Sequence, residues 1–589
     1  MALAQCWTGS PQLSAGTWQQ VYGTAAREVF NAAVSTADGG YLFGGYRCTN
    51  PEHNTQPVYW VVKTDSAGNE QWEKTYGGAG DDYLRSIVPT ADGGFLLSGE
   101  SNEYPVGTRS APLYGGFDVW VIKIDAQGNK VWDQSYGGTR DEGSPRAIAT
   151  ADGGYLIGCW SISDVSGNKT SRNFGGSGGT ADFWVVKIGP DGQKQWDKSY
   201  GGNGNEDLEV IVATPDGGAL LGGSSSSAVS GSKTVPNLGP VGTPDFYIVK
   251  IDAQGNQQWD RAYGGSGYDT CGAIASTPEG FLLCGSSDSP TGMGKTAPKR
   301  GVLDFWVVAI DAFGSRLWDQ SYGGLVGQAL TAALPVPGGG FLLGGRSTSG
   351  AGGNKSSPGY GIGDFWIVRT DPAGNILGDE AFGGSQNDEL NAMLPAADGG
   401  YLLVGGSWSG ANGTKTQPCL GAEDGWVVKV PFSFPPRILV QPQGAVVSGG
   451  TAVSFSVSAS ALTPLTYQWK TNDVPIWGAT NVTLTITNVQ PSDGGRYTVV
   501  VSNDAGSVES EPAVLTYTDS STLQLTIHPS LTIYGTVGKT YLVQYADNPE
   551  GALLWKDLGS LTMTNTPQVF VDLQSPVITQ RIYRVLLAP

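Results

Sequence analysis

The stretch WVIKIDAQGNKVWDQSYGG, residues 120–138, decides the fold because the chain repeats it. Close variants begin at Trp60, Trp184, Tyr247 and Trp306. In each copy, a β-branched run headed by an aromatic residue predicts a strand, DAQGN predicts a tight turn, and WDQSY predicts a second strand. The copies therefore predict β-hairpins of one kind.

A second phrase, ADGGYLFGG and its variants, predicts another hairpin in each unit. Its first aromatic residue, or the residue in that place, recurs 54 to 64 residues apart at Tyr41, Phe95, Tyr155, Ala219, Phe281, Phe341 and Tyr401. Each unit then has four strands, which we name A to D in chain order. Seven units of four strands are typical of a β-propeller.

The two ends of the repeat region complement each other. The last unit has a strand C at Gly425–Val430 but no strand D, whereas a lone strand D, GTWQQVYGT, precedes the first unit at residues 16–24. We therefore predict an all-β fold with a seven-bladed propeller at residues 16–432, in which the N-terminal strand completes the seventh blade. This closure would hide two sheet edges.

The repeat stops after residue 432. The next segment, residues 433–518, contains YQWK with Trp469 and DGGRY at residues 493–497, and it resembles an immunoglobulin-like domain of the I-set kind. The resemblance implies that Trp469 is the core tryptophan and that DGGRY supplies the tyrosine corner. Val457 and Val499 occupy the usual disulfide positions, so the resemblance implies an apolar core without that bridge.

Residues 519–589 alternate apolar and polar side chains, as in RIYRVLL, and predict a small C-terminal β-sandwich. The whole chain resembles the secreted multidomain β-propeller proteins of environmental bacteria. The resemblance implies a location outside the cell, with the C-terminal domains as spacers or surface-attachment modules. In the N-terminal tail, residues 1–15, the sequence ALA at residues 2–4 is typical of the end of a signal peptide.

Charge and composition exclude two classes of function. The net charge of −19 argues against nucleic-acid or anionic-membrane binding, and no apolar run reaches the roughly 18 residues of a transmembrane helix. The 6 cysteines suit an exported protein with one or two disulfides. We predict a bridge between Cys271 and Cys284, which flank the STPEG turn within reach across an antiparallel pair. Cys6 would pair with Cys48 or Cys419.

We expect function on the face shared by the B–C and D–A loops, because the B–C loops are long. Six of these loops carry a base before Ser or Thr: Arg109, Lys169, Lys233, Lys295, Lys355 and Lys415. Six end in an aspartate, and these aspartates are candidates for ligand binding: Asp118, Asp182, Asp245, Asp304, Asp364 and Asp424. A lysine–aspartate or aspartate–backbone contact that fixes each loop is the interpretation we favour over a ring of ligand-binding groups.

Further candidates for ligand binding are Tyr104, Tyr114, Tyr360 and the irregular first loop around His53. Acids of the D–A loops are the candidates for a metal site: Asp81, Asp82, Glu142, Asp207, Asp269 and Asp388. Their oxygens suit calcium, although no loop has the alternating Asp/Asn pattern of a calcium site. No other cofactor is expected.

No residue is predicted to be catalytic. The two histidines, His53 and His528, lie in different predicted domains, which argues against a Ser–His–Asp site. GMGKT at residues 292–296 resembles half of a phosphate-binding loop, but Ser289 replaces the first glycine and no helix follows.

The leading prediction is a secreted or cell-surface, non-enzymatic protein that binds a glycan or a surface protein through the propeller loops, with adhesion as the expected role. A carbohydrate-active enzyme with a carboxylate pair on the same face is the first alternative. A subunit of a self-assembling surface layer or fibre is the second.

Overall fold

The structure is a computed structural model that describes residues 17–50, 52–176, 179–240, 242–337, 339–396, 399–431, 436–461, 464–503, 506–518, 529–547, 554–572 and 581–588. The predicted tail with Cys6, and His528, lie outside these residues. The described chain is all-β, and a turn of 3-10 helix at Pro491–Asp493 lies among its strands. Across the described residues we find no helix with the length and apolarity needed to cross a lipid bilayer.

Seven four-stranded antiparallel sheets precede Pro431, and in each the strands lie side by side in the order A to D. Sheet 1 contains β2 (Glu28–Ser35), β3 (Tyr41–Asn50), β4 (Thr55–Thr64) and β5 (Glu70–Tyr76); sheet 2 contains β6 (Asp82–Pro89), β7 (Phe95–Ser101), β8 (Asp118–Ile124) and β9 (Lys130–Tyr136). Sheet 3 contains β10 (Glu142–Ala149), β11 (Tyr155–Ser161), β12 (Asp182–Ile188) and β13 (Lys194–Tyr200); sheet 4 contains β14 (Glu206–Ala213), β15 (Ala219–Ser225), β16 (Asp245–Ile251) and β17 (Gln257–Tyr263). Sheet 5 contains β18 (Asp269–Ser276), β19 (Gly280–Ser287), β20 (Asp304–Asp311) and β21 (Arg316–Tyr322); sheet 6 contains β22 (Gln328–Pro335), β23 (Phe341–Ser347), β24 (Asp364–Thr370) and β25 (Ile376–Phe382). Sheet 7 contains β26 (Asp388–Pro395), β27 (Tyr401–Ser407), β28 (Asp424–Val430) and the N-terminal strand β1 (Trp18–Tyr22).

The predicted pairing of the N-terminal strand with the last strand C is observed. β1 runs antiparallel to β28, with Trp18 opposite Lys429 and Tyr22 opposite Gly425. Gln19 adds a side-chain bond from its Nε2 to the carbonyl of Thr414, at 2.7 Å. The edge of β28 is therefore covered by backbone from the other end of the chain.

Neighbouring sheets contact each other through their strands A. The contacts follow the chain from β2 to β6, β10, β14, β18, β22 and β26, and β26 in turn contacts β2. Apolar side chains fill the space between sheets, as where Tyr59 and Val61 of sheet 1 meet Leu84 and Trp120 of sheet 2. The B–C and D–A loops meet at one end of the sheets, which we call the loop end.

The repeated phrase fastens each sheet to the next. Trp72 and Tyr76 on strand D of sheet 1 contact Gly128 in the C–D turn of sheet 2. The hydroxyl of Tyr76 donates to the carbonyl of Gly128 at 2.6 Å, and a methyl group on Gly128 would lie 2.9 Å from the Trp72 ring. The turn also holds Gly128 at a φ of +79°, which favours glycine. The same hydroxyl-to-carbonyl bond recurs from Tyr136 to Gly192, Tyr200 to Gly255, Tyr263 to Gly314 and Tyr322 to Gly374.

Sheet 6 departs from this pattern for a structural reason. Its strand D has Gly378 and Phe382 where the other sheets have tryptophan and tyrosine. Strand C of sheet 7 leaves the sheet without a C–D turn, so strand D of sheet 6 has no turn glycine to contact. At the seam, Trp18 and Tyr22 of β1 contact Gly68 of sheet 1, with the Tyr22 hydroxyl 2.5 Å from the Gly68 carbonyl.

The segment after Arg437 folds as an immunoglobulin-like domain with a separate core. Trp469 is buried with Val457 and Val499, and the hydroxyl of Tyr497 donates to the carbonyl of Asp493 at 2.6 Å. The core tryptophan, the tyrosine corner and the apolar pair at the disulfide positions are thus confirmed. The strands are β29 (Arg437–Val440), β30 (Ala445–Ser448), β31 (Val453–Ser456), β32 (Ser458–Ser460), β33 (Thr466–Thr471), β34 (Val474–Pro475), β35 (Thr483–Ile486), β36 (Gly495–Asn503), β37 (Gly506–Glu509) and β38 (Ala513–Thr518).

The last described segment has two small sheets around Ile533, Val543 and Met563. One sheet pairs β39 with β42, and the other has the order β41, β40, β43. Their bounds are β39 (Ser530–Ile533), β40 (Thr540–Ala546), β41 (Lys556–Thr562), β42 (Gln568–Val571) and β43 (Ile582–Leu587).

Candidate functional site

The aspartate that begins strand C holds the B–C loop before it. In sheet 2, Asp118 Oδ2 accepts the backbone N–H of Tyr114 at 2.6 Å. The same bond recurs at Asp182, Asp245, Asp304, Asp364 and Asp424. All of these carboxylates are buried. The aspartates predicted as ligand-binding candidates therefore hold loops and face away from solvent.

In the six B–C loops that carry one, the basic residue is buried over the aromatic residue of strand C. Lys169 Nζ lies 5.1 Å from the centre of the Trp184 ring and donates to Ser199 Oγ at 2.8 Å. The next residue, Thr170, donates to Asp197, which also accepts Trp184 Nε1 at 2.9 Å. Burial lowers the pKa of Lys169, while the aromatic ring and hydrogen bonds compensate for its desolvation. The equivalent cations over rings are Arg109, Lys233, Lys295, Lys355 and Lys415.

Pairs of buried carboxylates lie at the junctions between sheets. Asp118 of sheet 2 and Glu142 of sheet 3 both point at Gly137, where a methyl group would lie 2.2 Å from Asp118 Oδ1 and 2.5 Å from Glu142 Oε2. Glu142 also accepts the N–H of Gly138 at 2.9 Å. Burial, helped by the charge of Glu142, raises the pKa of Asp118 to about 7. Asp118 therefore takes up a proton at a higher pH than an exposed aspartate does.

The acids predicted to bind calcium lie in different sheets. Four of them are buried at the starts of strands A: Asp82, Glu142, Asp269 and Asp388. Asp81 precedes one of these strands, and Asp207 faces the cavity described below. In the part of the chain that the structure describes, no group of three or more His, Cys, Asp or Glu residues could hold a metal ion.

The predicted disulfide between Cys271 and Cys284 is wrong, because both residues are free thiols. A bulge at Gly272 places Cys271 opposite Gly285 and Cys284 opposite Ala273. The two thiols consequently belong to the cores on opposite sides of sheet 5. Burial raises the pKa of Cys271 to about 12. Cys48, Cys159 and Cys419 are free as well.

The remaining candidates differ in exposure. Tyr104 is 74% exposed, whereas Tyr114 and Tyr360 are half-buried beside the aspartates that hold their loops. His53 is exposed in the turn between β3 and β4, where its backbone N–H donates to Asn50 Oδ1 at 3.3 Å. These four residues do not form one cluster, since they belong to the loops of sheets 1, 2 and 6.

A pocket of about 270 Å³ lies at the loop end, where the N-terminal segment meets the last B–C loop. We call it the seam pocket. Its walls are Arg27, Asn54, Trp408, Ala422 and Glu423. Arg27 Nε lies 2.7 Å from Glu423 Oε2, and Trp408 is 45% exposed. An exposed indole beside an ion pair and an amide gives both an apolar surface and groups that fix orientation.

All seven strands A contribute residues to the lining of a second hollow, which has a volume of about 430 Å³ and which we call the central cavity. Each strand A has a bulge near its middle, which re-aims a side chain. At least one residue at or beside each bulge lines the cavity, and we consider one from each strand: Asn31, Arg85, Arg146, Glu209, Gly272, Thr331 and Asn391.

We call these seven residues the cavity ring. Its uncharged polar residues join neighbouring sheets. Asn391 Nδ2 donates to the carbonyl of Phe30 at 2.9 Å, and Asn31 Nδ2 donates to the carbonyl of Leu84 at 2.8 Å. Each bond crosses from one strand A to the next and satisfies a carbonyl beside a bulge. These amides therefore have a structural role.

The charged side of the ring is arranged differently. Arg85 forms an ion pair with Glu100 at 2.5 Å. Arg146 donates to two backbone carbonyls, those of Glu209 at 3.2 Å and Arg85 at 3.1 Å. Burial lowers the pKa of Arg146 and raises the pKa of Glu209, while their mutual attraction opposes both shifts.

The sequence prediction missed most residues of both hollows because it followed what the units share. The informative positions are those where the units differ. Trp408 takes a place that Asn102, Ile162, Ser226, Asp288 and Thr348 hold in other units. The residue at the strand-A bulge likewise changes from unit to unit while its apolar neighbours persist.

Comparison with known proteins adds one family. Residues 435–503 match the immunoglobulin domain family. The chain therefore carries an immunoglobulin-like domain near its C-terminus. A similar solved structure is the N-terminal Ig1-2 module of the Drosophila receptor protein tyrosine phosphatase DLAR, at 23% identity over 20% of this chain and 73% of that chain, with a TM-score of 0.15.

Two curated proteins are similar to parts of the chain. Regulatory protein FlaEY of Caulobacter vibrioides is 23% identical over 378 residues, which are 59% of this chain and 38% of that protein. Endoglucanase C of Cellulomonas fimi is 34% identical over 113 residues, which are 18% of this chain and 10% of that protein. The chain thus spans well under half the length of either relative.

Proposed function

We propose that this chain is a secreted or cell-surface, non-enzymatic binding protein that recognises a glycan at the loop end of its seven sheets. The immunoglobulin-like domain supports a binding or structural role, since such domains commonly serve in both. The name of one partial relative, endoglucanase C, agrees with a polysaccharide environment.

The seven sheets form a seven-bladed β-propeller in this proposal. The contacts from each strand A to the next, including β26 to β2, support a closed ring. The pairing of β1 with β28 and the contact of Tyr22 with Gly68 support closure by the N-terminal strand. We retain residues 16–432, 433–518 and 519–589 as the proposed domains, with the last two as a stalk.

The seam pocket is the observation that carries the glycan assignment. A pyranose ring has one face of C–H groups, which packs on an aromatic ring, and a rim of hydroxyls, which need polar partners. Trp408 offers an accessible ring, and Arg27 and Asn54 offer polar groups beside it. The repeated polar groups of the B–C loops already bind other groups within the loops and are not available to a ligand. The seam pocket, where the repeat pattern is broken, is therefore the place we assign to recognition.

The glycosidase alternative gains nothing from the repeated carboxylate pairs. A glycosidase needs two carboxyl groups that reach a sugar from either side. Asp118 and Glu142, like their counterparts in other sheets, are buried beneath the loops. An enzyme would have to use exposed acids such as Asp207 instead.

A glycan array with the full-length protein tests the proposal. We expect binding to a restricted set of glycans, and we expect Trp408→Ala to weaken it about tenfold or more, as for loss of an aromatic anchor. Trp477→Ala is the matched control, because Trp477 is 99% exposed but lies in the immunoglobulin-like domain. Absence of glycan binding, or equal loss in both variants, would contradict the assignment.

Two further measurements separate the alternatives. Hydrolysis of a polysaccharide that is abolished by a single carboxylate substitution at the loop end would favour the enzyme. A defined polymer in light scattering of the full chain would favour a self-assembling layer or fibre. Specific capture of a surface protein, unaffected by free sugars, would favour a protein partner.

A further inference from the structure

The charged side of the central cavity has a role that its structural bonds leave unexplained. On the neutral side, each amide bond joins two strands and no charge is introduced. On the charged side, Arg146 joins the strands by the same kind of bond to carbonyls. A neutral side chain could make those bonds without the cost of burying a guanidinium.

Arg146 is not neutralised by an ion pair of its own. Among the residues that the structure describes, no carboxylate oxygen lies within 4.0 Å of its guanidinium, whereas Arg85 beside it is paired with Glu100. Its two carbonyl bonds use Nε and Nη1, which leaves Nη2 for another acceptor. A partly desolvated cation with a spare donor favours a carboxylate, which can accept two bonds from one guanidinium.

The neighbouring strand A, β14 of sheet 4, carries acidic groups that attract a cation. Glu209 lines the same cavity, and burial raises the pKa of its carboxyl group. Asp207 lies at the mouth on the same strand, next to the half-exposed ring of Tyr268. Two carboxylates and an aromatic face together favour an ammonium group.

We propose that the central cavity binds a small zwitterion of the α-amino acid class. Its carboxylate lies on Arg146, and its ammonium group lies among Glu209, Asp207 and Tyr268. The volume of about 430 Å³ is within the range of small-molecule sites and exceeds that of one amino acid, so a side chain fits as well. The site is separate from the seam pocket, so it does not depend on glycan recognition.

Apolar side chains on part of the lining bear on the side-chain preference. Towards the turns, the cavity continues between Ala147, Ile211, Ile274 and Met393. An aliphatic side chain directed there removes apolar surface from water, whereas a charged one loses its hydration. We therefore expect leucine, isoleucine or methionine to bind better than aspartate or lysine.

Calorimetric titration of the full-length protein with each of the twenty standard amino acids tests the proposal. For the best amino acid, the matching amine without the carboxylate and the matching acid without the amine are titrated as well. We expect each to bind about tenfold more weakly or worse, since each loses one charge-assisted interaction. Equal binding of the acid would show a plain anion site, and no binding of any amino acid would likewise overturn the proposal.

Two variants locate the ligand. Glu209→Gln keeps the side-chain shape and should weaken the amino acid about tenfold while it leaves the acid analogue unchanged. Thr331→Val is the control on the neutral side of the ring, where Thr331 Oγ1 donates to the carbonyl of Leu390 at 2.6 Å. It should change stability and leave affinity intact. Unchanged affinity in Glu209→Gln, with a folded protein by its melting curve, would refute the assignment.

Discussion

Replacing Asp118 by asparagine is expected to stabilise the protein at pH 8 and to have little effect at pH 4. Asp118 is buried, and its Oδ1 converges with Glu142 Oε2 over Gly137. Asparagine keeps an oxygen for the N–H of Tyr114 and gains an N–H for Glu142. The variant thus has a permanently neutral side chain, a state that the native aspartic acid reaches only as the pH falls through about 7.

The magnitude follows from the displaced titration. Burial, and then Glu142, raises the pKa of Asp118 from 3.8 to about 7. A carboxyl group whose pKa is raised on folding stabilises the native state fully below pH 3.8, its ordinary pKa. This stabilisation is lost as the pH rises through about 7. A shift of about 3 units corresponds to about 4 kcal/mol. The free energy of unfolding of the variant should therefore exceed that of the native protein by up to about 4 kcal/mol at pH 8 and equal it near pH 4.

Asp133 in the same sheet provides a control of opposite sign. Burial alone would raise the pKa of Asp133. Hydrogen bonds from Lys130, Ser110 and Ala111 outweigh burial and lower this pKa to about 2. Its contribution to stability is present above the ordinary pKa and is lost as the pH falls through about 2. Asp133→Asn should therefore destabilise the protein at pH 8.

Denaturation of both variants and the native chain at pH 4 and pH 8, followed by tryptophan fluorescence, measures these differences. Scan rates are kept equal, because large multidomain chains often unfold irreversibly. If Asp118→Asn lowered stability at pH 8, Asp118 would be a stabilised carboxylate, and the proton assigned to the pair would be wrong.

Two further predictions concern the fastening between sheets. Tyr136→Phe removes the donor to the buried carbonyl of Gly192 and should lower the free energy of unfolding by about 1–3 kcal/mol. The control is Phe382→Tyr, in the sheet that has no turn glycine to contact, and it should not raise the free energy of unfolding. A rise of similar size in its melting curve would contradict the role of the hydroxyl. Deletion of residues 1–24 removes β1, uncovers the edge of β28 and frees the turn at Gly68. We expect aggregation or a large fall in melting temperature, and a monomeric deletion variant with an unchanged melting temperature in light scattering and calorimetry would argue against closure by this strand.

The four-stranded units were predictable because their signals are local. The turns that contain Gly68 and Gly128 require a positive φ, and the strands beside them carry β-branched and aromatic residues. The pairing of β1 with β28 was predictable by elimination, since one unit lacked a strand that the N-terminus had in excess. The core of the immunoglobulin-like domain followed from Trp469 and Tyr497.

The disulfide shows where this reasoning fails. Cys271 and Cys284 flank a hairpin turn at a distance that suits a bridge, but the bulge at Gly272 shifts the register by one residue. Because side chains alternate between faces, one extra residue sends the two thiols into different cores. The sequence signal was a lone glycine within a strand, which often marks a bulge.

Both hollows escaped prediction because their residues are far apart along the chain. Arg27 and Glu423 meet only when the two ends of the repeat region lie side by side. The central cavity takes at least one residue from each unit, so no segment of sequence contains it. A comparison of units position by position, with attention to differences, would have singled out Arg85, Arg146 and Glu209.

The fastening between sheets also has a direction, and this restricts how the chain can have grown. Strand D of sheets 1 to 5, and β1 at the seam, carry the aromatic pair, and the turn that each contacts carries the glycine, as with Trp72, Tyr76 and Gly128. A duplicated inner unit would bring both halves and fit its new neighbours at once. A copy of the sixth unit would bring Gly378 and Phe382, and would leave the next turn glycine without its aromatic partners. Recombination can therefore lengthen or shorten the array only among the first five units, whereas the sixth unit fits only beside the seventh.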